Sequence, residues 1–233
     1  MSLVKNLRSA IQRSFLSLPL ILVGWTLFFG STTGNIGLLV LALGQMAAVP
    51  ITSVISNSLF EFLNSVLSPY IGDFKNALSV SNVDICNIIP SEVDHAVPNI
   101  WVAPSYWLAQ ITFFFAFLIS SGAYVLNMKA DEGADPEKVE RRKTQATLSL
   151  ILASFVFLAL IVLRKAYTGC ETYLGMLLTF VIIGPLGYGW YELARQCSAR
   201  DVDIFGIVQK VLPAAAQQPP PTTCVYTGSK TNQ

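Results

Sequence analysis

The sequence predicts an all-α, multi-pass integral membrane helical bundle of about five spans, with four as the alternative, one polar loop region and a Pro-rich tail. Three observations carry this. Charged residues make up only 12% of the 233 residues, about half of the roughly 25% usual for a soluble domain. Hydrophobic residues reach 53%, and mean hydropathy is +0.55. Third, five stretches approach or meet the ~20 apolar residues that a helix rising ~1.5 Å per residue needs to cross ~30 Å of hydrocarbon.

The first stretch, 14–31, follows Lys5, Arg8 and Arg13 and is interrupted by Pro19. The second, 36–54, carries no charge, contains Pro50, and follows the turn-rich Thr32, Thr33, Gly34 and Asn35. So short a link predicts a helical hairpin over residues 1–55. A competing reading makes residues 1–31 a cleaved signal peptide, with a basic start, an apolar middle and small residues at 30–32.

Residues 56–104 form the polar region between the second and third stretches, with Glu61, Asp73, Asp84, Glu92 and Asp94 against the single Lys75. Its beginning places Ile55, Leu59, Leu63 and Val66 roughly on one helical face, which predicts an interfacial helix. Beyond residue 68 the composition turns to Pro, Asn, Asp, Ser and Val, as in an acidic extramembrane loop or a plain connector.

Residues 105–195 hold three spans, 106–126, 146–163 and 172–191, joined by a charged loop at 127–145. Trp101 and Trp107 before the third stretch, and Tyr173 with Tyr188, Trp190 and Tyr191 around the fifth, have the spacing of rings seated in headgroup layers. The fourth stretch begins as a water-exposed helix: Asp135 can cap it, Pro136 suits its first position, and Glu137 faces Arg141 at i, i+4. The tail, 196–233, is polar and ends its ordered signals in Pro219, Pro220 and Pro221, a segment suited to an extended polyproline conformation or a simple spacer.

Alternation puts the 56–104 loop and the 164–171 turn on one side, and the 127–145 loop with the tail on the other. The second group carries Lys129, Lys138, Arg141, Arg142, Lys143, Arg195, Arg200, Lys210 and Lys230 against Lys75, Arg164 and Lys165, nine against three. That assigns the tail to the cytosol by the positive-inside rule. Five crossings then leave the basic N-terminus outside, so one of the first two stretches is a candidate for a re-entrant or flat-lying segment. The same sorting offers Cys86 and Cys170 a disulfide on the outer side, while Cys197 and Cys224 stay reduced. Four unpaired buried cysteines is the competing reading.

Reactive constellations are missing from the pattern. There is no nucleophile motif, no phosphate-cradling Gly loop and no metal-ligand spacing, and His95 is the one histidine. The expectation is therefore no enzyme, no cofactor, no catalytic or metal site, and no nucleic-acid partner, given a net charge of +1. Asp84, Glu92 and Asp94 read as a solvated acidic loop. No ionisable side chain lies inside a span, where Gln45, Gln110 and Thr179 are the most polar groups; that argues against an ion-coupled carrier and leaves a small oligomeric channel as the rival. Gly44 with Ala48, Ser121 with Gly122, and the Gly184, Gly187, Gly189 series around Pro185 suit close helix approach. Arg141, Arg142 and Lys143 are candidates for anionic lipid headgroups, or act only as topology determinants.

In the tail, Cys197, Ser198, Ala199, Arg200, Asp201, Val202, Asp203, Ile204, Phe205, Gly206 and Ile207 are followed by Leu212-Pro213 and then Cys224-Val225. This segment resembles the C-terminal part of multi-pass membrane proteins encoded by large nucleocytoplasmic DNA viruses, including algal ones. The likeness covers roughly the last 40 residues by motif, and the three-span region by layout. It implies a virion component of the membrane beneath the capsid, touching minor capsid proteins. Asp203 and Phe205 are candidate partner contacts, with Phe205 as an aromatic anchor; a short amphipathic helix on the bilayer is the alternative. The functional expectation is a structural protein that associates with itself or with other membrane or capsid proteins.

Overall fold

The computed structural model describes residues 15, 17–71, 105–129, 135–168, 171–197 and 204. Among them every regular element is a helix: α1 (Leu18–Thr33), α2 (Ile36–Leu43), a π-helical turn (Gly44–Ala48), α3 (Val49–Ile71), α4 (Tyr106–Asn127), α5 (Pro136–Thr168) and α6 (Tyr173–Cys197). Four helical runs are long and apolar enough to cross a bilayer, Ile36–Tyr70, Tyr106–Asn127, Pro136–Ala166 and Tyr173–Gln196; α1 is shorter. The fold is thus a membrane-type helical bundle.

Local chemistry explains the boundaries. Pro19 stands in the first turn of α1, where a missing N–H costs nothing, so it starts that helix instead of interrupting it. Gly34 closes α1 at φ 67°, a left-handed backbone that glycine adopts freely. Asn35 then opens α2 by accepting the Leu38 N–H at 3.2 Å. Ser105 caps α4 through Leu108 N–H, and Asp135 caps α5 through Glu137 N–H at 3.1 Å.

Pro50 does not end the second stretch. The helix runs on from α2 through the π-turn into α3, so the segment expected to lie separately in the interface is continuous with the span. Val49 N–H reaches back five residues to the Gly44 carbonyl. The next π-type donor would be Pro50, which has none, so the Gln45 carbonyl is left without a partner from its own helix. Gln110 of α4 supplies the substitute, its Nε2 donating to that carbonyl at 2.8 Å.

Helix α4 is the axis of the bundle. Seven consecutive residues, Trp107 to Phe113, are buried, because α5 and α6 pack on two sides and the α2/π segment approaches the third. Gly187 of α6 lets the two backbones approach closely: a Cβ there would lie 2.8 Å from Ala116 Cβ and 2.9 Å from the Phe113 carbonyl oxygen. Outward faces are apolar. On α5, Leu148, Ile151, Leu152, Phe155, Leu158 and Val162 are exposed. On α3 the polar Ser53, Ser56 and Asn64 are buried while Ile51, Val54, Ile55, Leu59, Phe62 and Val66 are exposed. Burying those polar groups while exposing large apolar ones is the reverse of a water-facing amphipathic helix, although Ser58, Glu61 and Ser65 of α3 are also exposed.

Candidate functional site

Apart from Glu61 on α3, the charged side chains in the described residues gather at the two ends of the bundle. At the first end, Arg164 near the close of α5 and Glu171 just before α6 form an ion pair, with Nε 3.5 Å from Oε1 and side chains only 1% and 2% exposed. Ser105, at the head of α4, donates to the same carboxylate oxygen at 2.6 Å. The Arg164 guanidinium lies 4.9 Å from the centre of the Trp107 ring, a cation–π contact sheltered from water. Trp107 in turn donates its indole N–H to the Phe15 carbonyl at 3.0 Å. Lys165 Nζ donates to the Glu171 carbonyl and sits over the Tyr173 ring at 4.7 Å.

Four separate stretches of chain therefore meet in one clasp: the entry to α1, the head of α4, the end of α5 and the start of α6. Arg164 and Glu171 offset each other, Lys165 adds a further cation beside them, and the hydrogen bonds of Ser105, Trp107 and Lys165 tie the segments together.

The opposite end is assembled differently. Arg195 pairs with Glu192 through Nε at 3.0 Å and Nη2 at 2.6 Å, and stacks 4.8 Å from the Tyr124 ring. Arg142 is turned inward, 3% exposed, with Nη2 donating to the Met128 carbonyl at 2.6 Å. Its neighbours Arg141 and Lys143 are exposed. Of the three lipid-headgroup candidates, then, two face outward and one is enclosed between the end of α4 and the start of α5.

Inside the bundle, Gln110 is 2% exposed and hydrogen-bonds the Gln45 carbonyl and the Tyr106 hydroxyl, each at 2.8 Å. Thr179 returns its hydroxyl to the Gly175 carbonyl at 2.8 Å. Trp190 of α6 donates to the Val40 carbonyl at 2.9 Å. Gln110 and Thr179 thus fasten helices to each other or to themselves, whereas the buried Gln45 side chain makes no hydrogen bond and contributes only its backbone carbonyl.

Cys86, Cys170, Asp203, Phe205, Pro219, Pro220 and Pro221 lie outside the described residues. The Ser105–Glu171 hydrogen bond joins the head of α4 to the residues just before α6. Among the described residues, no group of three or more His, Cys, Asp or Glu is arranged to hold a metal ion. No family model, curated protein or solved structure matches this chain.

In the sequence, Arg164 counts toward the positive-inside comparison and Glu171 serves only as the end of the 164–171 turn. The available signal was their position: opposite charges seven residues apart, bracketing the turn between two apolar stretches, with Trp107 at the matching end of a third.

Proposed function

We propose that this chain is a non-enzymatic structural protein of a membrane, which associates laterally and presents its 56–104 region and its tail to membrane or capsid partners. The observation that carries the reading is the use of Gln110: the amide nitrogen of this buried side chain on the central helix donates to both the Gln45 carbonyl and the Tyr106 hydroxyl. A polar group spent on fastening helices supports a scaffold over a conduction path, where such groups face a water-filled lumen. The apolar outward face of α5 supports the same reading, since it suits lipid or neighbouring helices. The virion's internal membrane as the setting rests on the tail resemblance alone.

Reconstitution tests it against the rival, a small oligomeric channel or transporter subunit. Liposomes holding the full chain are expected to show no solute or ion flux above empty vesicles, and crosslinking in intact membranes or particles is expected to capture neighbouring proteins. A steady conductance abolished by Gln45→Leu would establish the rival.

A further inference from the structure

Three described arginines stand near helix ends facing the bundle, and they are not treated alike. Arg164 has Glu171, and Arg195 has Glu192. Arg142 is as enclosed as Arg164, yet among the described residues no carboxylate lies within ion-pair distance of it. Its one acceptor is the Met128 carbonyl, and its Nε is buried without a hydrogen-bond partner. A guanidinium carries five N–H donors in a flat fork and keeps its charge at any physiological pH. Withdrawing it from water with a single neutral acceptor is costly, and an anion with two or more oxygens in one plane relieves that cost best.

The surroundings say which anion. Arg142 sits where α4 ends and α5 begins, beside the packed pair Val125 and Ala146, at the level where the apolar part of α5 gives way to its charged first turns. In the sequence Lys129, Lys138, Arg141 and Lys143 bracket that junction together with Asp131, Glu132, Asp135, Glu137 and Glu140, so the directed pull on an anion comes from Arg142 itself. An under-bonded guanidinium between two membrane helices at headgroup depth suits a phosphate diester. We propose that Arg142 is an anion site for a phosphate group, with the headgroup of an anionic phospholipid as its natural occupant, seated between the α4 and α5 ends. Arg141 and Lys143 add long-range attraction; Arg142 supplies the directed hydrogen bonds. The site rests on the membrane reading above.

The test uses the full chain in nanodiscs made of phosphatidylcholine with a minor fraction of phosphatidylglycerol, followed by native mass spectrometry of retained lipid. Wild type is expected to retain phosphatidylglycerol over phosphatidylcholine. Arg142→Gln is expected to weaken that retention by about tenfold or more, as for loss of a charged hydrogen bond. The double change Arg141→Gln with Lys143→Gln is expected to weaken it by less than about threefold, as for exposed charges. In parallel, phosphatidylglycerol is expected to shield Arg142 of the wild type from phenylglyoxal, a readout that needs no variant. Shielding by inorganic phosphate in detergent, without lipid selectivity in nanodiscs, would name free phosphate as the source and overturn the lipid assignment. Equal retention by wild type and a folded Arg142→Gln, or no shielding by either anion, would overturn the site. Protease protection of the same nanodiscs reports insertion separately, so failure of the membrane reading is distinguishable from failure of the site.

Discussion

Gln110 of α4 stands in for a backbone donor that Pro50 cannot provide: its Nε2 reaches the Gln45 carbonyl at 2.8 Å, at the point where the π-turn hands over to α3. Gln110→Leu is expected to leave that carbonyl unpaired in an apolar interior and to destabilise the bundle by about 1–3 kcal/mol. Pro50→Ala restores an N–H, so the Gln110→Leu penalty should shrink in a Pro50→Ala background. A double-mutant cycle read by denaturant or thermal unfolding in micelles checks this. Equal penalties in both backgrounds would mean that the bond between Gln110 and Gln45 is incidental.

Glycine positions of the same composition are expected to behave in opposite ways. A Cβ at Gly187 would meet the Phe113 carbonyl oxygen at 2.9 Å and Ala116 Cβ at 2.8 Å. At Gly44 it would press on the Phe113 ring and lie 2.7 Å from Trp190 Nε1. Gly187→Ala and Gly44→Ala should each cost about 1–3 kcal/mol, as overpacking does, with Gly187→Ala the worse because backbone yields less than a ring. Nothing lies within 4 Å of a Cβ at Gly184 or Gly189, so alanine there should be neutral or raise stability by up to about 1 kcal/mol through helix propensity. Thermal midpoints of the four variants give the ranking.

The helices were legible in the sequence because a bilayer imposes one requirement, length of uncharged chain, and the pattern of apolar residues states it directly. Caps were legible for the same reason of locality: Asp135 and Pro136 act within one turn. What composition concealed was long-range pairing. Whether Pro50 breaks a helix depends on Gln110, 60 residues away, and whether Arg142 faces solvent depends on the end of α4. The polar-in face of α3 was likewise hidden, since Ile55, Leu59 and Val66 form an apolar stripe whether it is turned to water's edge, to protein or to lipid.

The clasp at the first end should fail when halved. Removing either Arg164 or Glu171 leaves the other charge buried and uncompensated, and Arg164→Met or Glu171→Gln should each cost about 3–5 kcal/mol. The paired change Arg164→Met with Glu171→Gln should cost less than the sum of the singles, because no buried charge remains. Ser105→Ala removes one hydrogen bond to a charged group, about 1.5–3 kcal/mol. Unfolding in mixed micelles, with limited proteolysis of the 72–104 region as a second readout, checks the order. Additive singles would mean that Arg164 and Glu171 do not act as a pair.

The contacts also fix which side the entry to α1 occupies. Phe15 is bonded to Trp107 at the clasp, whereas Val40, near the start of α2, is bonded to Trp190 in the last third of α6. Helix α1 therefore runs from the clasp end toward the far end, and the α2–α3 run returns. The chain before Leu18 is expected on the same side as the α5–α6 connection, opposite the α4–α5 turn, despite its basic character. In a background with the four native cysteines replaced, Ser17→Cys and Tyr173→Cys should label from one face of sealed vesicles with an impermeant maleimide. Lys129→Cys and Asp135→Cys should label from the other. If Ser17→Cys sided with Asp135→Cys, the Trp107 to Phe15 bond would not describe the inserted protein, and the first helix would enter from the cytosolic side as the positive-inside rule prefers.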